Sequence, residues 1–193
     1  MPIMFEPEQF IADCRNAFET DRTHKAVREI LARAVSDPAA VLKGLGEPTR
    51  PESKKLFHSE TLTILNVVWA PGMMVMPHDH RMWAVIGVYT GREDNIFWRR
   101  IPSTPNRVEA AGAKALGARD AVALGTDIIH SVINPIGQLT GAIHIYGGDF
   151  YTAERSEWDS TTLEEHRLDH EQRRRLWEEA NARFEASQAK RAG

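Results

Sequence analysis

The sequence predicts a mainly β protein, an antiparallel barrel or sandwich held between two helical flanks. Three observations predict it. Apolar residues fall at helical spacing up to about residue 44 and again beyond Gly147-Gly148. Between these flanks the period is two, in short runs rich in β-branched residues. Turn signals separate the runs and no helical pattern interrupts them, as in an antiparallel barrel or sandwich. The 193 residues read as one domain: a helical segment over 1–54, a β core over 55–150 and a helical extension over 151–193.

In the front segment, Phe10, Ile11, Cys14 and Phe18 share a helical face, as do Ala26, Val27, Ile30, Leu31 and Ala34. Asp37-Pro38 ends or bends this helix, and Gly44, Gly46, Pro48 and Pro51 mark a loop. Thr61 to Trp69 is a strand that stops at the turn Ala70-Pro71-Gly72. Trp83 to Thr90 follows, closed by Gly91-Arg92-Glu93-Asp94, then Asn95 to Ile101. Asp120 to Leu124, Ile128 to Asn134 and Thr140 to Tyr146 complete the β region. Leu176, Trp177, Ala180 and Phe184 form the apolar stripe of a helix of roughly 163–188. Each flanking helix has one stripe to bury, so both are expected on the outside of the β core.

Composition narrows the function. With 26% charged and 42% hydrophobic residues the chain is ordinary for a soluble protein, and a net charge of −3 gives no footprint for nucleic acid. The run Arg173-Arg174-Arg175 has Glu171, Glu178 and Glu179 around it and reads as a solvated helix face. No stretch approaches the ~20 apolar residues of a membrane span, and Met1 to Glu8 has no secretion signal. The single Cys14 forms no intramolecular disulfide. A cytoplasmic location is the expectation. The oligomeric state is left open.

The chemistry is carried by His78-Asp79-His80 and by His130 fifty residues on. On a strand, residues two apart share a face, so His78 and His80 aim two imidazoles at one point. A third histidine from another strand completes a facial set on a metal. Imidazole suits zinc, copper, iron and nickel, and three protein ligands leave coordination positions open for reactants.

Gly72, five residues, His78-x-His80, then Gly91 resembles the first motif of the cupin superfamily. Gly117, Gly125, His130 and Asn134 resemble the second more loosely, with Ala123 where a proline is usual. The resemblance covers about residues 57–150 and implies a double-stranded β-helix (jelly-roll) barrel with a metal inside. The glutamate ligand usual in cupins would fall at Ala84. A three-histidine set with N-terminal helices resembles the thiol dioxygenases, which hold Fe(II) and add both atoms of O₂ to a thiol sulfur, giving a sulfinate. Their Ser-x-His-x-Tyr string is matched by Ala142-Ile143-His144-Ile145-Tyr146, with the serine replaced.

The resemblance implies further roles. His78, His80 and His130 would bind Fe(II). Tyr146 would donate a hydrogen bond toward bound oxygen or substrate, and His144 would orient it. No cysteine stands near Ala84 to cross-link to Tyr146. Cysteine dioxygenase grips its substrate carboxylate with a Tyr-x-Arg segment, and the nearest match here is Leu56-Phe57-His58. In the mercaptopropionate branch an arginine beyond the tyrosine does related work, which Arg155 could do here. Arg81, beside His80, is a second candidate, and Trp83 a possible substrate contact. The expected partners are a small-molecule thiol and O₂, with no nucleic acid and no membrane. The alternatives are another metal-dependent cupin enzyme, such as a non-thiol dioxygenase or an isomerase, or a non-catalytic module that binds a metal or ligand. His166 and His170, four apart on the expected C-terminal helix, could chelate a metal, but their charged neighbours make that face solvated.

Overall fold

The computed structural model describes residues 5–192. The first four residues, part of the stretch read for a secretion signal, lie outside the described residues, as does Gly193. The front segment is three helices rather than one: α1 (Pro7–Thr20), α2 (His24–Val35) and α3 (Pro38–Leu45). Capping chemistry makes the first break. The Asp21 carboxylate accepts from the Thr23 amide at 2.9 Å and from its hydroxyl at 2.8 Å, and Thr23 Oγ1 accepts from the Lys25 amide at the start of α2. At the second break Asp37 caps α3 through the Ala40 amide, with Pro38 at the first helical position.

Eleven strands follow: β1 (Glu52–His58), β2 (Thr63–Trp69), β3 (Met74–Asp79), β4 (Ala84–Thr90), β5 (Arg92–Ile101), β6 (Thr104–Gly117), β7 (Ala121–Leu124), β8 (Ile129–Ile133), β9 (Thr140–Tyr146), β10 (Ser156–Trp158) and β11 (Glu165–Arg167). They form two antiparallel sheets, ordered β1-β2-β9-β4-β7 and β11-β10-β3-β8-β5-β6. This is the double-stranded β-helix, with helices at both ends of the chain. Strand alternation divides β9: Ala142 and Tyr146 join Leu65, Val67 and Ile86 in the barrel interior. Ile143 and Ile145 join Val85 and Tyr89 in a second core under α1 and α2. Gly87 on β4 permits that close approach, since a Cβ there would meet Leu31 Cγ at 2.7 Å.

Two elements depart from the sequence pattern. β6 pairs with β5 along a long hairpin, but its mostly exposed residues, with Pro105 and Gly112 among them, carry no clean alternation. The C-terminal helix, α4 (His170–Ala192), starts later than the apolar stripe suggests, because Asp169 accepts from the amides of Glu171 and Gln172 and sets the start. The short β10–β11 ribbon occupies the space before it, so His166 lies on β11 and shares no helix with His170. Leu176, Trp177 and Ala180 of α4 pack onto the barrel interior cluster. Among the described residues, no helix is long and apolar enough to cross a membrane.

Candidate metal centre

The pairing of β3 with β8 sets His78 directly opposite His130, after a register shift between Val75 and His78. His80 stands just past the end of β3, on the same side as His78. All three imidazoles are buried, and their ligand atoms lie within 4.8 Å of one another. His78 Nε2 is 3.2 Å from His80 Nε2, which is 3.3 Å from His130 Nε2.

The partners of the outer ring nitrogens bear on whether a cation fits. His78 Nδ1–H donates to the Met76 carbonyl at 2.9 Å, and His130 Nδ1–H donates to Asn95 Oδ1 at 2.7 Å. Each ring then carries its single proton on the outer nitrogen and turns the lone pair of Nε2 inward. Two inward lone pairs beside His80 Nε2 form a donor set suited to a shared cation. Metal–nitrogen bonds of about 2.0–2.1 Å at angles between 90° and 109° place ligand atoms about 2.8–3.4 Å apart. The observed separations fit that range. The set fits a divalent ion that favours imidazole.

Burial also holds these rings neutral. It pulls His78 and His80 well below the ordinary histidine value, with the His130 charge adding to the effect, and pulls His130 down to about 4 against the opposing pull of Glu93. In the unfolded chain the same groups take up protons near pH 6.5. The unfolded state therefore binds more protons below that value, and the metal-free fold loses stability as pH falls from about 6.5 toward 4. His130 alone contributes roughly 3 kcal/mol over this window. Thermal melts of metal-free protein at pH 7, 6, 5 and 4 should show the steepest fall across that interval, and a flat profile would remove the ligand histidines as its cause.

Behind the histidines lies a buried polar network that the sequence did not announce. Glu93 on β5 is fully buried. It accepts from Trp69 Nε1–H at 2.8 Å, from Asn95 Nδ2–H at 3.1 Å and from His144 Nε2 at 3.1 Å. Burial opposes its ionisation, but His144 and these donors outweigh burial and hold the carboxyl below its ordinary value. With its proton directed at Glu93, His144 presents Nδ1 to the Tyr146 hydroxyl 3.1 Å away. This contact is the one by which His144 was expected to orient the hydroxyl. Burial pushes the Tyr146 hydroxyl well above its ordinary value, and its ring lies 5.0 Å from that of His80.

His78, His80, His130, Trp69, His144 and Tyr146 line a cavity of ≈ 260 Å³, together with Phe150, Arg155, Arg173 and Trp177. Trp177 of α4 stacks on Trp69 at 5.4 Å and covers one side. Arg155 is 7% exposed; its guanidinium lies 3.9 Å over the Phe150 ring, and its Nε is buried without a hydrogen-bond partner. Burial lowers it to about 10, so it is charged at neutral pH. Arg173 also borders the cavity, its charge countered by Glu157 at 2.9 Å. The basic run is thus not uniformly solvated: Arg174 and Arg175 pair with exposed glutamates of α4, while Arg173 turns inward.

Two expected substrate contacts are not brought to this cavity. Arg81 adopts a left-handed φ of 56° after β3, and its guanidinium meets Asp79 at 2.7 Å and Ser156 at 3.3 Å. Trp83 precedes the inward-facing Ala84, so alternation sends its ring outward. There it lies 5.8 Å from the Phe18 ring and donates to the Arg22 carbonyl at 3.3 Å. Ala84, where the usual glutamate is missing, pairs with Tyr146 across β4 and β9. Cys14 is buried among the α1–α2 core residues, on the other side of that sheet, which leaves Tyr146 unlinked.

Glu93, Asn95 and Trp69 were missed because the first sits in a stretch that reads as a turn. Glu93, Asn95 and Phe97 are spaced two apart across that supposed turn, and this alternation was the available signal.

No protein-family model matches the chain. Solved structures to which it is similar include an RmlC-like cupin family protein with a double-stranded β-helix fold from Methanocaldococcus jannaschii, at 10% identity and a TM-score of 0.45 over 54% of this chain and 86% of that one. A protein with a double-stranded β-helix domain from Klebsiella pneumoniae matches at 13% identity and a TM-score of 0.46, over 60% and 87%. A DMSP lyase from Ruegeria pomeroyi matches at 18% identity and a TM-score of 0.43, over 54% and 50%.

Proposed function

We propose that this protein is an Fe(II)-dependent dioxygenase that oxidises a small carboxylate-bearing thiol to its sulfinate. The observation that carries the reading is three buried imidazoles converging with no carboxylate among them, in a cavity also lined by Arg155, whose buried Nε has no hydrogen-bond partner. Balance requires R–SH + O₂ to give R–SO₂⁻ + H⁺: two S–O bonds form, the O–O bond breaks, sulfur is oxidised and oxygen reduced. When bound, the iron supplies electrons to O₂ and a positive charge that favours the thiolate.

The chain's own residues do the rest. His78, His80 and His130 occupy one face and leave the opposite face to reactants. Arg155 receives the substrate carboxylate, which orients the sulfur toward the histidines. Phe150 and the Trp69–Trp177 stack exclude water from one flank. Tyr146, fixed through His144, provides a polar contact beside His80. Tyr146→Phe is expected to leave iron content intact and slow turnover up to about tenfold, the size of one hydrogen bond of about 0.5–1.5 kcal/mol; unchanged turnover would remove Tyr146 from the mechanism.

Oxygen uptake by the Fe(II)-loaded protein with 3-mercaptopropionate, mercaptosuccinate, cysteine and cysteamine tests the reading. One O₂ consumed per sulfinate formed, with the carboxylate thiols preferred, supports it. Turnover of another substrate with zinc and without oxygen would favour an isomerase, and ligand binding without turnover a sensing module; either result overturns it.

A further inference from the structure

We propose that Glu93 is a positioning residue that fixes, through Asn95, the proton on the outer nitrogen of His130 and so turns the His130 lone pair toward the metal site. The proposal rests on the reading of His78, His80 and His130 as a metal-binding set.

The argument is one of donor and acceptor parity. An ionised carboxylate only accepts hydrogen bonds. The group of Asn95 that faces Glu93 Oε1 at 3.1 Å must therefore be its NH₂. That leaves the Asn95 carbonyl oxygen to face His130 Nδ1 at 2.7 Å, and an acceptor there requires Nδ1–H. A singly protonated imidazole with its proton on Nδ1 has its lone pair on Nε2, the atom that meets His80 at 3.3 Å. All three residues are buried, with Glu93 0%, Asn95 1% and His130 1% exposed, so water does not stand in for a lost partner. The other Glu93 oxygen is held by Trp69 and His144, which keeps the carboxylate from turning away. The Met76 carbonyl fixes His78 in the same sense, so two ligands are oriented by independent acceptors.

Glu93→Gln reverses the parity. A carboxamide that continues to accept from Trp69 must present its NH₂ to Asn95. Asn95 then turns its own NH₂ to His130, the ring moves its proton to Nε2, and the lone pair leaves the site. Adding Asn95→Asp repairs this arm: the aspartate accepts from Gln at 93 and from His130 together.

The experiment is titration of metal-free protein with Co(II), read by visible absorption, so that no turnover is needed. Outer partners of a ligating histidine are typically worth 10–100-fold in metal affinity. Glu93→Gln is expected to weaken Co(II) binding by about that factor. Glu93→Gln/Asn95→Asp is expected to return to within about threefold of wild type, a recovery a merely structural role would not give. Asn95→Ala, which leaves Glu93 in place, should also weaken binding about tenfold. A Glu93→Gln protein that binds Co(II) like wild type, a double variant as weak as the single one, or an Asn95→Ala protein with wild-type affinity overturns the proposal. If Glu93→Gln does not fold, the double variant and Asn95→Ala decide alone. Failure of the wild-type protein itself to bind Co(II) would overturn instead the metal reading on which the proposal rests.

Discussion

His80→Ala is expected to lower metal affinity at least a hundredfold and to abolish oxygen uptake. The removed Nε2 lies 3.2 Å from that of His78 and 3.3 Å from that of His130. Without it, the remaining pair has no third donor to hold a divalent ion against water. Loss of an outer partner already costs 10–100-fold, and loss of a ligand itself exceeds that. The structural cost is smaller, because no neighbouring strand pairs with His80 and its removal leaves the β3–β8 ladder intact. Elemental analysis of protein purified without added metal should find metal in the wild type and under a tenth as much in the variant. A second readout separates binding from folding. Added metal should raise the melting temperature of the wild type by mass action and leave that of the variant unmoved. A variant that retains metal would sink the three-histidine site.

Arg155→Met is expected to raise KM for 3-mercaptopropionate by 10- to 100-fold and to change kcat less. The guanidinium is buried, charged and held over Phe150 by its cation–π contact, and its Nε lacks a partner. A buried polar group left unmatched costs on the order of 1–3 kcal/mol, and more when charged. An incoming carboxylate removes that cost and gains a charge-assisted hydrogen bond of about 1.5–3 kcal/mol, which corresponds to the stated range. Methionine keeps the length and apolar stem, so packing on Phe150 survives. Cysteamine, which has no carboxylate, is the control: its KM should be the same in both proteins. Arg155→Lys should recover only part of the loss, since an ammonium does not offer the planar fork. Equal damage to both substrates would assign Arg155 to folding rather than recognition.

How much of this was legible in the sequence differs from residue to residue. His78, His80 and His130 could be read because strand period and turn glycines are local signals. The opposing faces of β9 followed in the same way: Ala142, His144 and Tyr146 inward, Ile143 and Ile145 outward. The helical front could be read as helical, but its breaks at Asp21 and Asp37 depended on side-chain caps that periodicity does not register. Arg81 and Trp83 were candidates because they stand near His80 in the chain. A left-handed turn and strand alternation carry one to Asp79 and the other to Phe18 and Arg22, away from the cavity.

The sequence by itself determined a β core between helical flanks and set His78 and His80 on one face; its motifs, through their resemblance to cupins, implied the barrel and the addition of His130. The first features follow from backbone periodicity and from the geometry of neighbours along the chain. Only the tertiary structure decided which buried groups stand behind and beside that face. Glu93 is fifty-one residues from His144, and Asn95 thirty-five from His130. Arg155 and Trp177 arrive from segments beyond the barrel. Such partners are chosen by hydrogen-bond parity and by burial across sheets, which a one-dimensional pattern does not encode.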